Sequence, residues 1–328
     1  MKIKSFFKVI VSVFFVLIVS NLEKDLTVSA NEHQSINNRG VELSEEAIKN
    51  LKSLSFTDEE IMNMSQEEFE FNEGLVGEEL ETTTTYSKII ENIPPATDLS
   101  KNQRSTSIQS SSDTVEIELD KETYYEELKN INNESSDKIS TFSTTTDSDS
   151  TSTSYKKMTT IINKLGTNKY RVKNYLRWDK MPANRKTDVL GVGINSAFWA
   201  PVKGSGFANT SFTTYSKMYG TTSKSFNVAS SNNKWNKGAG GYSINLSLPQ
   251  DDRAGGAYNT TVRTLSHSMY YTVTPLAYSN RLDAYGHFAH QETLVGISPS
   301  VSLSGFSFSI SNSTKFTYQA STHATVYK

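Results

Sequence analysis

The chain has 328 residues and no cysteine. Disulfides, thiolate nucleophiles and zinc–cysteine sites are thereby excluded. Without disulfides its stability must come from a core, and the chain is long enough to build one. Long apolar runs are also scarce. The one substantial run is VIVSVFFVLIV at 9–19, short of the roughly 20 apolar residues a spanning helix needs. Lys2, Lys4 and Lys8 precede it and the small residues Val28-Ser29-Ala30 follow, so 1–30 reads as a signal peptide cleaved after Ala30. The alternative, an uncleaved anchor, is opposed by the run's length and by Lys24 and Asp25 just after it. No transmembrane segment is expected in the mature chain, and an extracellular protein is. The third shortage is acid in the second half. Residues 155–328 hold 6 Asp+Glu against 20 Lys+Arg, a net of +14, whereas 31–154 hold 27 against 9, a net of −18. The basic part also carries 24 of the 35 aromatic residues. Such asymmetry implies two units with different jobs.

The acidic part, 31–142, opens with helix-start signals. Ser44 precedes Glu45 and Glu46, and Thr57-x-x-Glu60 and Ser65-x-x-Glu68 are capping-box spacings, so short helices are expected between 44 and 72. Beyond Gly77 the chain turns polar, with ETTTT at 81–85 and Pro94-Pro95. TVEIELD at 114–120 alternates like a strand, and KETYYEELKN at 121–130 is a candidate helix. STTTDSDSTSTS at 143–154 has no apolar residue and reads as an accessible linker.

From 155 the pattern has period two. MTTIINKL at 158–165 is the exception, readable as a helical set ended by Gly166. YRVKNYLRW at 170–178 alternates, with Tyr170, Val172, Leu176 and Trp178 on one face and Arg171, Lys173 and Arg177 on the other. Segments rich in Thr, Tyr, Val and Phe follow, separated by Gly, Asn, Pro and Ser. Roughly eight to ten such strands predict a mainly β fold, an antiparallel sandwich or barrel preceded by the small acidic region.

Catalytic and metal signals are thin. His287, His290 and Glu292 in GHFAHQE are the metal-ligand candidates. On a strand, residues three apart face opposite sides, so the two imidazoles converge only in a helix or turn. Asp251, Asp252 and Asp283 are available for a serine triad, but no GxSxG elbow accompanies them, and paired carboxylates for glycoside hydrolysis would have to come from distant positions. GVG at 191–193 and GAGG at 238–241 lack phosphate-loop spacing and read as bulges or turns. An enzyme is not expected, nor a cofactor, nor a nucleic-acid partner. The positive constellation is Arg171, Lys173, Arg177, Lys180, Arg185 and Lys186, flanked by Trp178 and Trp199. Such a face suits an anionic cell envelope or cell-wall polymer, while the alternative is a solvated edge strand guarded by charge. The acidic region would then be a pro-segment that masks this face until cleavage near Ser154, or else a permanent solubilising domain.

LKSLSFTDEEIMNMSQEEFEFNEGLVGE at 51–78 resembles the leader of secreted proteins of Bacillus-type, Gram-positive bacteria, among them large unmodified bacteriocins of the geobacillin kind and related toxins. GHFAHQETLVGISPSVSLSGFSFSIS is similar to the end of such proteins. The resemblance implies a secreted antibacterial or toxin-like protein made with a pro-region, and it transfers no active-site residues. A non-toxic binding protein for cell-wall glycans is the other reading.

Within that last stretch, ISPSVSLSGFSFSISN at 297–312 carries serine at nearly every second position. The parity of its apolar residues changes at Ser304-Gly305, between Leu303 and Phe306. A bulge there, or a two-residue turn pairing Leu303 with Phe306 and Val301 with Phe308, keeps the apolar residues on one face. Its arms are shorter than the roughly 9–11 residues of a membrane-spanning strand, so it reads as a soluble sheet element.

Overall fold

Hydroxyl caps start the acidic helices at the positions their spacing implied. The computed structural model describes residues 35–93, 114–137, 150–291, 300–304, 307–311, 316–318 and 321–328. The signal segment with Ala30, residues 143–149 of the expected linker, and Glu292 lie outside them. A short pair, β1 (Ser35–Ile36) and β2 (Glu42–Leu43), precedes α1 (Glu45–Ser53), where Ser44 accepts the Ala47 amide at 3.1 Å. In α2 (Asp58–Met62) the capping box is complete: Thr57 Oγ1 accepts the Glu60 amide and the Glu60 carboxylate accepts the Thr57 amide. In α3 (Gln66–Asn72) Ser65 caps the Glu68 amide, but the Glu68 carboxylate turns inward instead of reaching back. The second box is therefore half-formed, because Glu68 has partners on the sheet.

The polar stretch after Gly77 is a strand, not a loop. β3 (Glu78–Ile93) pairs with β4 (Thr114–Leu119) on one side and with β5 (Ser150–Gly166) on the other. Threonine and isoleucine are β-branched and favour the pleated sheet. That preference, with hydrogen-bonding partners on both edges, overrides the helical reading of 158–165 and the linker reading of 150–154. Ser154 is buried inside β5. The expected helix at 121–130 is the start of α4 (Lys121–Asp137), where Asp120 caps the Thr123 amide and Tyr124 is fully buried.

The remaining strands are β6 (Lys169–Lys180), β7 (Thr187–Ile194), β8 (Trp199–Pro201), β9 (Phe207–Ser216), β10 (Gly220–Ala229), β11 (Trp235–Gly238), β12 (Gly241–Ser247), β13 (Thr261–Pro275), β14 (Arg281–Gln291), β15 (Ser300–Ser304), β16 (Ser307–Ser311), β17 (Phe316–Tyr318) and β18 (Thr322–Tyr327). Every ladder is antiparallel. An eight-stranded sheet runs β10-β9-β13-β6-β5-β3-β4, with β8 also on β13. A six-stranded sheet runs β11-β12-β7-β14-β17, with β18 also on β14. The sheets stay open and face each other, so the fold is a sandwich and not a closed barrel. Between them lies a core that includes Val172, Leu176 and Trp178 from β6, Leu190 and Val192 from β7, and Tyr271 and Phe288. GVG at 191–193 lies inside β7, not in a bulge or turn, and Tyr271 donates its hydroxyl to the Val192 carbonyl. GAGG does turn, between β11 and β12. Gly241 there has φ +137°, and a Cβ would collide with that same Val192 carbonyl.

The serine-rich hairpin is β15–β16. Its register sets Leu303 opposite Phe308, Val301 opposite Ile310 and Ser304 opposite Ser307, not Leu303 opposite Phe306 and Val301 opposite Phe308 as expected. Phe308 and Ile310 pack on Val189, Ala289 and Phe316. Among the described residues no helix is long and apolar enough to cross a membrane.

Candidate functional site

The basic face of β6 is the centre of the site, and it is covered. β6 lies between β13 and β5 and is not an edge strand. Its inner face enters the sandwich core. Its outer face meets the acidic segment 35–76, which forms a cap over β6, β13, β9 and β10. Val41, Leu43, Leu51, Leu54, Phe56, Ile61 and Met64 of the cap form a second apolar core with Phe207 and Tyr270. Arg39 donates to the Ser225 carbonyl at 2.7 Å, and Ser225 donates to the Asn63 carbonyl at 2.9 Å, tying the cap to β10.

Inside this interface the opposite charges meet. Lys173 is 1% exposed, and its ammonium donates to Glu60 Oε2 and to the Ser55 carbonyl, each at 2.8 Å. It also stands 4.6 Å from the Phe56 ring centre. Arg177 pairs with Glu59 and donates through Nε to Asp179 at 2.6 Å. Arg171 is likewise 1% exposed, its guanidinium 4.5 Å from the Tyr270 ring centre. Its Nε and Nη1 have no hydrogen-bond partner among the described residues. Glu68, on the same interface, accepts from Asn209 at 2.9 Å and from the Tyr270 hydroxyl at 3.3 Å. Burial pushes its pKa up to about 7, with Asn209 opposing. The arrangement can hold a cationic, aromatic sheet face out of water for as long as the cap stays on.

The expectation of an exposed cationic face with flanking indoles is thus corrected. Arg171 and Lys173 are buried because the cap supplies carboxylates and rings for them. Trp178 is a core residue donating to Asp188 Oδ2 at 3.0 Å, and Trp199 is a buried one donating to the Arg281 carbonyl at 3.0 Å. Lys180 is half-buried, Arg185 pairs with Asp251, and Lys186 alone of the group is exposed. Asp251 also accepts the Val262 amide at 2.8 Å, and Asp252 bridges to Thr260. Asp283 is held by Arg281, His323 and Thr325. Each of these aspartates thus has partners that hold the fold, and among the described residues no serine hydrogen-bonds to any of them.

Both imidazoles of GHFAH lie on strand β14 and separate. His287 meets Ser321 at 2.9 Å and stacks on Phe308, while His290 Nδ1 contacts Asp188 Oδ1 at 2.7 Å. Among the described residues no three ligating side chains cluster as a metal site. Sequence reasoning missed Asp188, which is fully buried between His290, Trp178 and His267, whose Nε2 stands 3.4 Å away as a charge contact. Burial alone would raise Asp188's pKa, but the two imidazoles bring it down to about 2. It also missed the cap glutamates as partners of β6. Their signal was present in the opposite charge of the two parts and in the capping-box spacing of Glu60 and Glu68.

No family model matches the chain, and no curated protein matches it. Among solved structures, a chain titled "Pore forming protein" matches at 8% identity and a TM-score of 0.24, over 53% of this chain and 87% of that one. Clostridium perfringens delta-toxin matches at 8% identity and a TM-score of 0.19, over 52% and 83%. Likeness at such TM-scores carries no functional argument.

Proposed function

We propose that the chain is a secreted, toxin-like antibacterial protein of bacteriocin type, held inactive by its acidic cap and acting without catalysis at an anionic cell envelope. The observation that carries this reading is the burial of Lys173 and Arg171 under a segment that pairs Lys173 with Glu60 and sets the Phe56 ring against both cations. Loss of the cap exposes Arg171, Lys173, Tyr175, Phe207 and Tyr270 on one sheet face, a cationic and aromatic surface suited to anionic headgroups. Cleavage at Ser154 would have to cut a buried position within β5, so it is set aside. The connection between α3 and β3 is the better place, because Glu73 and Gly74 are exposed.

The test inserts a site-specific protease sequence at Gly74. Nicked and intact proteins are then compared on vesicles of anionic and of zwitterionic phospholipid, and on Gram-positive indicator cells. The nicked protein is expected to bind anionic vesicles and to kill in a salt-sensitive way, while the intact protein does neither. Equal activity of the two, or an inert nicked protein, overturns the reading. A second reading, a non-toxic binder of cell-wall glycans, draws on the open groove that borders the cap.

A further inference from the structure

Beside the cap, among the described residues, the outer face of β3 and β5 and the Arg177 end of β6 form a groove of about 310 Å³. That is the lower end of the roughly 300–1,000 Å³ typical of small-molecule sites. The cap borders the groove through Thr57 and Glu59, and the sheet supplies Thr84, Tyr86, Lys157, Thr159 and Arg177.

Three features define what fits. The Thr84 and Thr159 hydroxyls lie side by side at 2.9 Å, and each can donate and accept. Tyr86 supplies an aromatic surface, with Tyr125 of α4 6.0 Å away across ring centres. The cations differ in their commitments. Lys173 is held by Glu60, and Arg177 by Glu59 and Asp179. Lys157 contacts only the hydroxyl and ring of Tyr125, at 3.1 and 5.6 Å, and pairs with no carboxylate among the described residues. One uncommitted cation, a hydroxyl pair, an aromatic surface and a Glu–Arg pair suit a ligand with a single negative charge, several hydroxyls and an apolar ring face.

We propose that this groove binds a carboxylate-bearing sugar residue, its carboxylate on Lys157, its hydroxyls on Thr84, Thr159 and Glu59, and its ring against Tyr86. The site needs the cap in place, since Glu59 belongs to it, but it does not need the cap to be released, and the test uses the intact chain, so failure of one proposal leaves the other standing. Because Thr57 and Glu59 belong to the cap, an occupied groove also fastens the cap to the sheet.

Calorimetric titration of the intact protein with glucuronate, glucose and acetate tests the assignment. Glucuronate is expected to bind, with glucose and acetate each weaker by about tenfold or more, the worth of one charge-assisted contact or of the hydroxyl set. Lys157→Gln is expected to lose about tenfold in glucuronate affinity and none for glucose. Lys157 is partly exposed and outside both cores, and an unchanged melting temperature verifies that the variant folds. Failure of glucuronate to bind, equal affinity for glucose, equal affinity for acetate (a simple anion site), or full glucuronate affinity in Lys157→Gln each overturns the proposal.

Discussion

At the residue scale, Glu68 sets a pH dependence whose sign follows from its environment. Its folded pKa is about 7, above the ordinary value of 4.5, because burial disfavours the charged form. The folded state therefore binds this proton more tightly than the unfolded state, and the associated stability is present at low pH and lost as pH rises through the interval between the two values. Across that interval the loss is on the order of 3 kcal/mol. Glu68→Gln keeps an acceptor for Asn209 but cannot ionise. In urea unfolding the variant should be more stable than the parent at about pH 8 and nearly equal at about pH 5. Greater destabilisation at pH 8 than at pH 5 would show that the carboxylate is needed charged, as a partner for Arg171. Asp188 works the other way. Its lowered pKa supplies stability that is present above the ordinary carboxylate range and lost as pH falls toward 2. Asp188→Asn leaves His290 and Trp178 facing an amide in the core, and the expected cost is about 3 kcal/mol at neutral pH, read as a lower urea midpoint.

At the element scale, caps and pairing edges decide what the local pattern leaves open. Thr57 completes a capping box whose Glu60 also receives Lys173, so one side chain both starts a helix and aims a carboxylate at the sheet. Thr57→Ala should lower stability by about 1 kcal/mol, measured by denaturant unfolding. Phe308, half-buried on His287 and Tyr318, is worth slightly more: Phe308→Ala should cost about 1–2 kcal/mol without changing the β15–β16 register. The elements most legible in the sequence were those whose signal is local, namely the hydroxyl caps at 44, 57 and 65, the alternating strand at 114–119 and the period-two strands after 170. The long strands β3 and β5 were hidden because runs of Thr and Ser carry no hydrophobic alternation. Their strand state comes from β-branched sterics and from pairing with each other, a contact between residues some 70 positions apart that no local window contains. The candidate site was legible by half. Alternation showed that Arg171, Lys173 and Arg177 share a face of β6, but not that a helical segment more than 100 residues earlier covers that face.

At the scale of the whole molecule, the charge asymmetry becomes geometry: the −18 part lies partly on the +14 part, and its later strands join the same sheet. The acidic region is thus two things, a helical cap at 35–76 and an integral pair of strands. How firmly the cap is held follows from weighing its contacts. The Lys173–Glu60 pair is buried and hence little screened, whereas Arg177–Glu59 is partly exposed and sensitive to salt. Beside them, the seven apolar cap residues share a core with Phe207 and Tyr270, and the part of their burial made against the sheet adds to the roughly 1.5–3 kcal/mol that each of those two rings gains by being covered. Apolar burial therefore outweighs the charge term. A protein nicked at Gly74 should accordingly elute from gel filtration as one species at about 0.15 M salt and still as one species at about 1 M. A cap that leaves at the higher salt would mean that surface charge alone holds it. The same weighing separates two kinds of anionic partner. A soluble polyanion offers charge but no apolar phase, so it should leave the nicked complex intact. An anionic bilayer offers both, competing for Arg171 and Lys173 at its headgroups and for Phe207 and Tyr270 beneath them, and should strip the cap off. Co-sedimentation of the 75–328 fragment with anionic vesicles, with the cap left in the supernatant, is the expected result, and cap release by the polyanion alone would contradict it.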